Sequence, residues 1–429
     1  MEDEKNYWGR RLPEGEWPES LKAKSDCMLG IRQSGGQWIC QRCQTRLSQI
    51  NRLPQGAFYC RACIQMGRLR SDESLYFLAQ KSFPVTDSCR WSGELSPDQA
   101  RIAQVLLEQS LQGVSCLVHA VTGAGKTEML YPLLTDTLNK GGVVGLASPR
   151  IDVCRELHQR LQRDFTVSTC FLYGEGEPYQ RSQLIVATVP QLFRFYQAFD
   201  LLIVDEVDAF PFDENPQLYA AVEQAQKVAA PVHFLTATTT PLLEQRIQRG
   251  DLVRLALPKR FHQQPLVVPR IIYWSGYQEK GRVSRTFLMQ FRRQRQSGFP
   301  LLIFLPLIQW GENFYKQLGK VFPNLKVAFV SASSGNRKEL VEQFRAGVVE
   351  VLITTTILER GVTFPKVDVF VLEADHALYT KSSLVQIAGR VGRSKERPDG
   401  LVLFFVQEQT RASKQAIQEI KQMNREAGF

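Results

Sequence analysis

The sequence predicts an α/β protein with two tandem parallel-sheet domains behind an N-terminal four-cysteine zinc module. Three observations carry this expectation. From about residue 94 onward, short apolar runs alternate with longer amphipathic stretches, the pattern of strands paired in parallel and covered by helices. A proline-rich break at 257–272 divides the alternation into two halves of similar size. Ahead of them, four of the nine cysteines fall into two C-x2-C pairs sixteen residues apart.

Residues 1–35 show no clean period and are expected to form an irregular arm, followed by the cysteine module at 36–70. A polar connector, 71–94, holds one expected short helix around Glu73–Lys81. The first sheet domain is placed at 95–257, with strands expected at 115–121, 143–148, 183–188, 200–206 and 232–238 and helices at 98–111 and 154–165. A linker is placed at 258–285. The second sheet domain is placed at 286–429, with strands at 300–306, 326–332, 349–355, 367–374 and 400–407 and a polar helix from Arg411.

The 429 residues carry 53 Lys and Arg against 43 Asp and Glu, a net charge of +10, and 44% are hydrophobic. That excludes a wholly disordered chain. The charge suits a polyanionic partner, or simply a solvated basic surface. No run of about 20 apolar residues is present, and the acidic start MEDEKNYW is not a secretory signal, so a cytosolic location is expected. In a reducing compartment the cysteines are not expected to form disulfides.

The candidate chemistry begins after the run 115–121, with Thr122, Gly123, Ala124, Gly125, Lys126 and Thr127. Glycines between a strand and a helix let backbone N–H groups curl around phosphate oxygens. Lys126 would reach the β and γ phosphates of ATP, and the Thr127 hydroxyl would bind Mg²⁺. Ala120, where the usual pattern has glycine, ends the strand. The run DLLIVDEVD then presents Asp205 as a Mg²⁺ ligand, Glu206 as the group that orients and deprotonates water, and Asp208 as a link to a neighbouring segment. In the second domain Arg390 and Arg393, three apart on an expected helix face, suit charge developing on a transferring phosphoryl group. ATP held from both halves would draw the two domains together, and hydrolysis would remove that bridge.

The order AVTGAGKT, SPR, ATVPQL, DEVD, TAT, TTTILERGVTFP and QIAGRVGR, spread over roughly 95–405, resembles the superfamily 2 helicases and translocases. The resemblance implies two RecA-like domains and an ATPase. It implies that Gln99 in LSPDQ reads the base, and that Thr236 and Thr238 link hydrolysis to nucleic-acid binding. It also implies nucleotide contacts at Gly361 and Gln386, and nucleic-acid contacts at Pro149, Arg150, Thr188 and Thr355.

Cys40, Cys43, Cys60 and Cys63 have zinc-ribbon spacing. Four thiolates closing a tetrahedron leave no position for water, so this zinc would be structural. Substitution of one ligand by Cys27 stays open. The separation of the ribbon from the domains in sequence predicts that metal loss unfolds 38–65 and leaves both domains folded. Arg42, Arg46, Arg52, Arg61, Arg68 and Arg70, interleaved with Trp38, Phe58 and Tyr59, suit single-stranded nucleic acid. The aromatics could equally form the module's small core, and docking to a protein is a third possibility.

A four-cysteine module before a short two-domain motor, with PRIDVCREL (149–157) and PKRFHQQPLVVP (258–269), resembles the late competence ComFA family. The resemblance implies an ATP-driven motor that powers uptake of single-stranded DNA during natural transformation. It implies a place at the inner face of the cell membrane, with the companion protein ComFC and the DNA-uptake channel as partners. The replication-restart helicase PriA is similar, but there the cysteines are inserted within the helicase core. A nucleotide-gated DNA-binding scaffold is the reading from another class. Oligomeric state is not legible in the sequence.

Overall fold

In the computed structural model, residues 4–174, 176–213, 215–277, 283–360 and 364–429 are described, and they form two compact units. The first comprises 1–119 and 126–256, the second 120–125 and 257–429.

The arm expected to be irregular carries regular structure. Strand β1 (Arg11–Pro13), the short helix α1 (Glu19–Lys22) and strand β2 (Asp26–Leu29) lie within it. Strands β3 (Ile31–Ser34), β4 (Gln37–Cys40) and β5 (Arg46–Leu47) form an antiparallel meander in the cysteine module. The helix expected around Glu73–Lys81 is instead strand β6 (Ser74–Phe77), which pairs antiparallel with both β1 and β2. Alternation explains the difference: Leu75 is fully buried between half-buried neighbours, and its cross-strand partners are Pro13 on β1 and Met28 on β2.

The core of the first unit is a seven-stranded sheet of β7 (Cys116–Ala120), β8 (Val144–Ser148), β9 (Thr169–Leu172), β10 (Leu184–Thr188), β11 (Leu201–Val204), β12 (Val232–Thr236) and β13 (Val253–Leu257). Their order is β13-β7-β12-β11-β8-β10-β9. The central strands are buried on both faces, as continuous apolar runs in a helix-covered parallel sheet should be. Its helices are α2 (Pro97–Leu111), α3 (Tyr131–Asn139), α4 (Ile151–Asp164), α5 (Pro216–Ala225) and α6 (Pro241–Gln248). A Ser96–Gln99 capping box with Pro97 at the first turn starts α2.

The second unit carries a six-stranded sheet of β14 (Arg270–Tyr273), β15 (Leu301–Phe304), β16 (Val327–Val330), β17 (Val351–Thr354), β18 (Asp368–Val371) and β19 (Val402–Val406), in the order β14-β19-β18-β15-β17-β16. Its helices are α7 (Arg285–Arg295), α8 (Ile308–Val321), α9 (Arg337–Arg345), α10 (Lys381–Ala388) and α11 (Arg411–Glu426). The segment read as a linker thus contains β14, which pairs with β19 along Arg270–Tyr273. Pro269 lies just ahead of this edge strand, where a missing N–H costs no ladder bond.

The cysteine module does not stand apart from the first sheet domain. Ile31, Phe58, Met66 and Leu69 belong to one hydrophobic core with Phe193, Phe199, Val222 and Phe234. The turn Ile64–Met66 packs against the turn Val189–Arg194 that follows β10. Arg11, fully buried, donates to the carbonyls of Gln41 (3.2 Å) and Arg42 (3.4 Å) and to the Gln224 side chain on α5. Arg10 donates to the Arg194 carbonyl at 3.1 Å. Burial pushes both guanidinium groups down to a pKa of about 10, so they remain charged inside this seam.

Candidate nucleotide, nucleic-acid and metal sites

In the first unit the parallel strands all end at one edge of the sheet, the edge where α/β folds bind ligands. Neighbouring strands deliver the sequence-predicted residues in spatial order. Strand β7 leads into the phosphate loop, β12 into Ala237-Thr238, β11 into Asp205-Glu206, β8 into Pro149-Arg150, and β10 ends on Thr188.

At the β7 and β11 end, the Lys126 ammonium donates to Asp205 Oδ1 at 3.2 Å. Burial opposes its charge, but the carboxylates of Asp205, Glu206 and Asp208 outweigh that and raise its pKa. Lys126 is therefore a fixed cation. Asp205 is anchored by its own N–H to the Ala147 carbonyl at 2.8 Å. Glu206 adopts a left-handed backbone, φ 55°, and its N–H donates to Asp205 Oδ1 at 2.8 Å. A non-glycine residue held in that region is a local strain of about 1–3 kcal/mol, the kind kept at functional positions.

Asp208 and Thr238, distant in sequence, are joined. Buried Thr238 Oγ1 donates to Asp208 Oδ2 at 2.7 Å, and the Thr238 N–H donates to Thr236 Oγ1 at 3.1 Å. The strand-end acids and the TAT segment are thus one hydrogen-bonded unit. Gln99 is buried and its carboxamide oxygen accepts the Ser96 N–H at 2.9 Å, so that oxygen is committed to the helix cap.

Gly123 (φ 82°) and Gly125 (φ 70°) are required by backbone conformation. A Cβ at Gly123 would meet no protein atom, so among the protein's own atoms it is the positive φ that calls for glycine there. Thr127 precedes a single 3-10 turn, Glu128–Leu130, that feeds α3.

Within the second unit, the arginine segment is not on a helix face. Helix α10 stops at Ala388 and Gly389 caps it, so Arg390 and Arg393 lie in the following turn. Arg390 is 1% exposed and donates from Nε to the Glu359 carbonyl at 3.2 Å. The Gly389 carbonyl accepts from Thr122 Oγ1 (3.2 Å), Arg260 Nη2 (3.1 Å) and Arg393 Nε (2.9 Å). Two of those donors, Thr122 and Arg393, are residues the sequence predicts on phosphate. Arg260, which the sequence reading passed over as part of a linker, is fully buried and also donates to the carbonyls of Val391 (2.7 Å) and Gly392. Burial, then the charge of Arg393, holds its pKa down at about 9. Gln386 is buried on α10, and Gly361 lies outside the described residues.

Of the nucleic-acid candidates, Ser148 and Thr188 sit opposite each other in register, which brings Pro149, Arg150 and Thr188 to one edge. Arg150 is held in a two-point pair with Asp152 (3.0 and 2.8 Å), so a phosphate would have to displace a carboxylate. Thr355, in the second unit, is buried.

The four cysteine sulfurs all lie within 4.8 Å of one another, with Cys40–Cys63 at 3.8 Å and Cys43–Cys60 at 3.5 Å. A tetrahedron of bonds of about 2.3 Å, the Zn–S length, separates its sulfurs by about 3.8 Å, so the donor set fits zinc. Cys27 is exposed on β2 and outside the cluster. Arg42, expected on the binding surface, is 2% exposed and turned inward. It donates to Cys63 Sγ (3.3 and 3.2 Å), the Cys63 carbonyl (3.0 Å) and the Met66 carbonyl (2.7 Å), supporting a thiolate from behind. Trp38 and Phe58 stack at 4.8 Å as the module's core. Arg46, Arg52, Arg61 and Arg68 are exposed.

Fold and motifs together define a superfamily 2 helicase-like ATPase that uses ATP and Mg²⁺. Residues 96–245 match the DEAD/DEAH box helicase family and 281–395 the helicase conserved C-terminal domain. Residues 10–77 match the competence protein ComFA N-terminal domain. The chain is 49% identical to competence protein ComFA of Streptococcus pneumoniae over 427 residues, 99% of each chain. It is 37% identical to that of Bacillus subtilis over 401 residues, 90% of this chain and 86% of the relative. It therefore belongs to the ComFA family of competence proteins. Among solved structures, S. cerevisiae Dbp5 bound to RNA and ADP BeF3 shares the fold at 16% identity, with a TM-score of 0.53 over 77% of this chain and 91% of that one.

Proposed function

We propose that this chain is an ATP-driven translocase on single-stranded DNA that powers DNA uptake during natural transformation, working at the cytoplasmic face of the membrane with ComFC and the uptake channel. Among the described residues no helix is long and apolar enough to cross a membrane, so attachment through a protein partner accounts for that location. One observation carries the reading. The charged Lys126 donates to Asp205, and Asp205 and the strained Glu206 lie on the same strand-end turn as Asp208, which accepts a hydrogen bond from Thr238. In this reading Lys126 and the loop 122–127 hold the triphosphate, and Thr127 and Asp205 hold Mg²⁺. Glu206 takes a proton from the attacking water. Arg390 and Arg393 balance charge on the transferring phosphoryl group. Pro149, Arg150, Thr188 and Thr355 track the strand, with Gln99, Gly361 and Gln386 completing the nucleotide contacts. Cys40, Cys43, Cys60 and Cys63 hold a structural Zn²⁺.

The test is ATP turnover measured side by side with single-stranded DNA, duplex DNA and RNA. Single strands should stimulate most. Lys126→Ala and Glu206→Gln should each abolish turnover while single-strand binding persists. Full turnover in either variant overturns the assignment. Strand displacement with strong fork preference would favour replication restart, and absence of turnover with saturating DNA would favour a scaffold.

A further inference from the structure

We infer that Arg61 and Arg68 of the cysteine module form a second phosphate-binding contact for single-stranded DNA, in addition to Pro149, Arg150 and Thr188. The inference rests on the translocase reading and lies wholly within the first unit.

Between Asp26 and Asp72 the sequence contains no Asp, Glu or Lys, yet it holds seven arginines. The structure divides them by task. Arg42 is turned inward to Cys63, and Arg70 is paired with Asp72, its Nε donating to Oδ1 at 2.7 Å. Arg32, Arg46, Arg52, Arg61 and Arg68 are exposed, and among the described residues none of these five has a carboxylate partner.

The backbone also sets Arg61 and Arg68 against each other. The Ser71 N–H donates to the Phe58 carbonyl (2.9 Å), Tyr59 and Arg70 form an antiparallel bridge, and the Cys60 N–H donates to the Leu69 carbonyl (3.1 Å). One step further in that register, Arg61 faces Arg68. Like charges at facing positions are destabilising. The partner that Arg61 does have is neutral: its Nε donates to the Tyr59 hydroxyl at 2.7 Å. A phosphate taken up by both guanidinium groups removes the repulsion, and the planar fork of arginine matches its oxygens.

The surroundings favour a nucleic-acid strand as the source of that phosphate. Arg61 and Arg68 bracket the turn Ile64–Met66, which packs against Val189–Arg194, the turn that begins one residue after Thr188. The pair is thus carried on a loop seated beside the edge proposed to track the strand. The one cation among the tracking residues of this unit, Arg150, is already paired with Asp152 at 3.0 and 2.8 Å. Arg61 and Arg68 add the uncompensated charge that those residues lack.

The test measures binding of a fluorescent dT oligomer to the full-length chain, without nucleotide, across a salt series. Each phosphate contact contributes about 0.7 to the slope of log affinity against log salt, so losing two lowers it by about 1.4, which is about tenfold in affinity near 0.15 M salt. Arg61→Gln with Arg68→Gln should show that fall, and show it equally on mixed-sequence single strands, because phosphates carry no sequence. Arg61→Lys with Arg68→Lys keeps the charge and should keep the slope. Arg292→Gln with Arg293→Gln removes two exposed charges from α7 and should leave the slope at the parent value. An unchanged slope in the Gln pair, or an equal fall in either the Lys pair or the α7 pair, overturns the inference. Loss of binding to phosphatidylglycerol vesicles in the Gln pair, with strand binding kept, also overturns it and assigns the arginines to a membrane surface. A parent chain that binds no single strand overturns the translocase reading as well. An unchanged slope in the Gln pair, with DNA-stimulated turnover in the parent chain, overturns the inference alone.

Discussion

Removing metal from the cysteine module should destabilise the whole first unit. Sequence separation alone predicts the opposite, with 38–65 unfolding by itself. The geometry gives the size of the coupling. The module meets the sheet domain through Arg11, which bridges the Gln41 and Arg42 carbonyls to Gln224, and through the turn Ile64–Met66 packed on Val189–Arg194. Hydrogen bonding by a charged group contributes about 1.5–3 kcal/mol, and burial of the Met66 side chain contributes about 1.5–3 kcal/mol. Both are lost when the knuckles carrying Gln41, Arg42 and Met66 disperse, a combined loss of about 4 kcal/mol. For a unit of 150–250 residues, about 2–4 °C of midpoint per kcal/mol gives a fall of roughly 8–16 °C. Differential scanning calorimetry of the chain before and after chelation, and of Cys60→Ser, would resolve it, with metal content measured on each sample. The transition of the first unit should drop by that amount while that of the second stays in place. An unmoved first transition in verified metal-free protein would refute the coupling and restore the independent ribbon.

Two further expectations concern the sheet domain. Thr238→Val removes the hydroxyl that donates to the buried Asp208 carboxylate, a charge-assisted bond of about 1.5–3 kcal/mol. Stimulation of ATP turnover by single-stranded DNA should fall by about tenfold or more with ATP binding kept, and undiminished stimulation would show that the bond transmits nothing. Fully buried His233 accepts the Cys116 N–H at Nδ1 (3.2 Å), and burial pushes its pKa down to about 4. Its unfolded pKa is about 6.5, so the unfolded chain takes the proton first as pH falls. Stability should therefore decline from about pH 6.5 and be lower by about 3 kcal/mol at pH 4. Urea midpoints followed across that window should show a shallower decline in His233→Gln, and parallel curves would contradict the role.

What was legible in the sequence follows from where water is excluded. Central strands such as Cys116–Ala120 and Leu201–Val204 are buried on both faces and stand out as apolar runs. The missed strands, Thr169–Leu172, Val253–Leu257 and Arg270–Tyr273, lie at sheet edges, where one face or end meets solvent and polar residues dilute the signal. The same contrast governs the sites. The structure brings Lys126 to Asp205 and gathers the four cysteines, and these residues stand out in the sequence because each expected chemistry demands a residue type at a fixed local spacing. Arg42 and Arg260 do not, because their work is to satisfy carbonyls and a thiolate brought together by the fold, and a buried arginine looks in sequence like any solvated one. Arg390 and Arg393 show the intermediate case. Their spacing suggests a helix face, but Gly389 ends the helix just before them. A turn suits the charge-balancing role proposed for them, because its carbonyls can be gripped from behind by Arg260, as the turn at Gly389–Gly392 is, which leaves guanidinium position to be set by the backbone and not by a helix register.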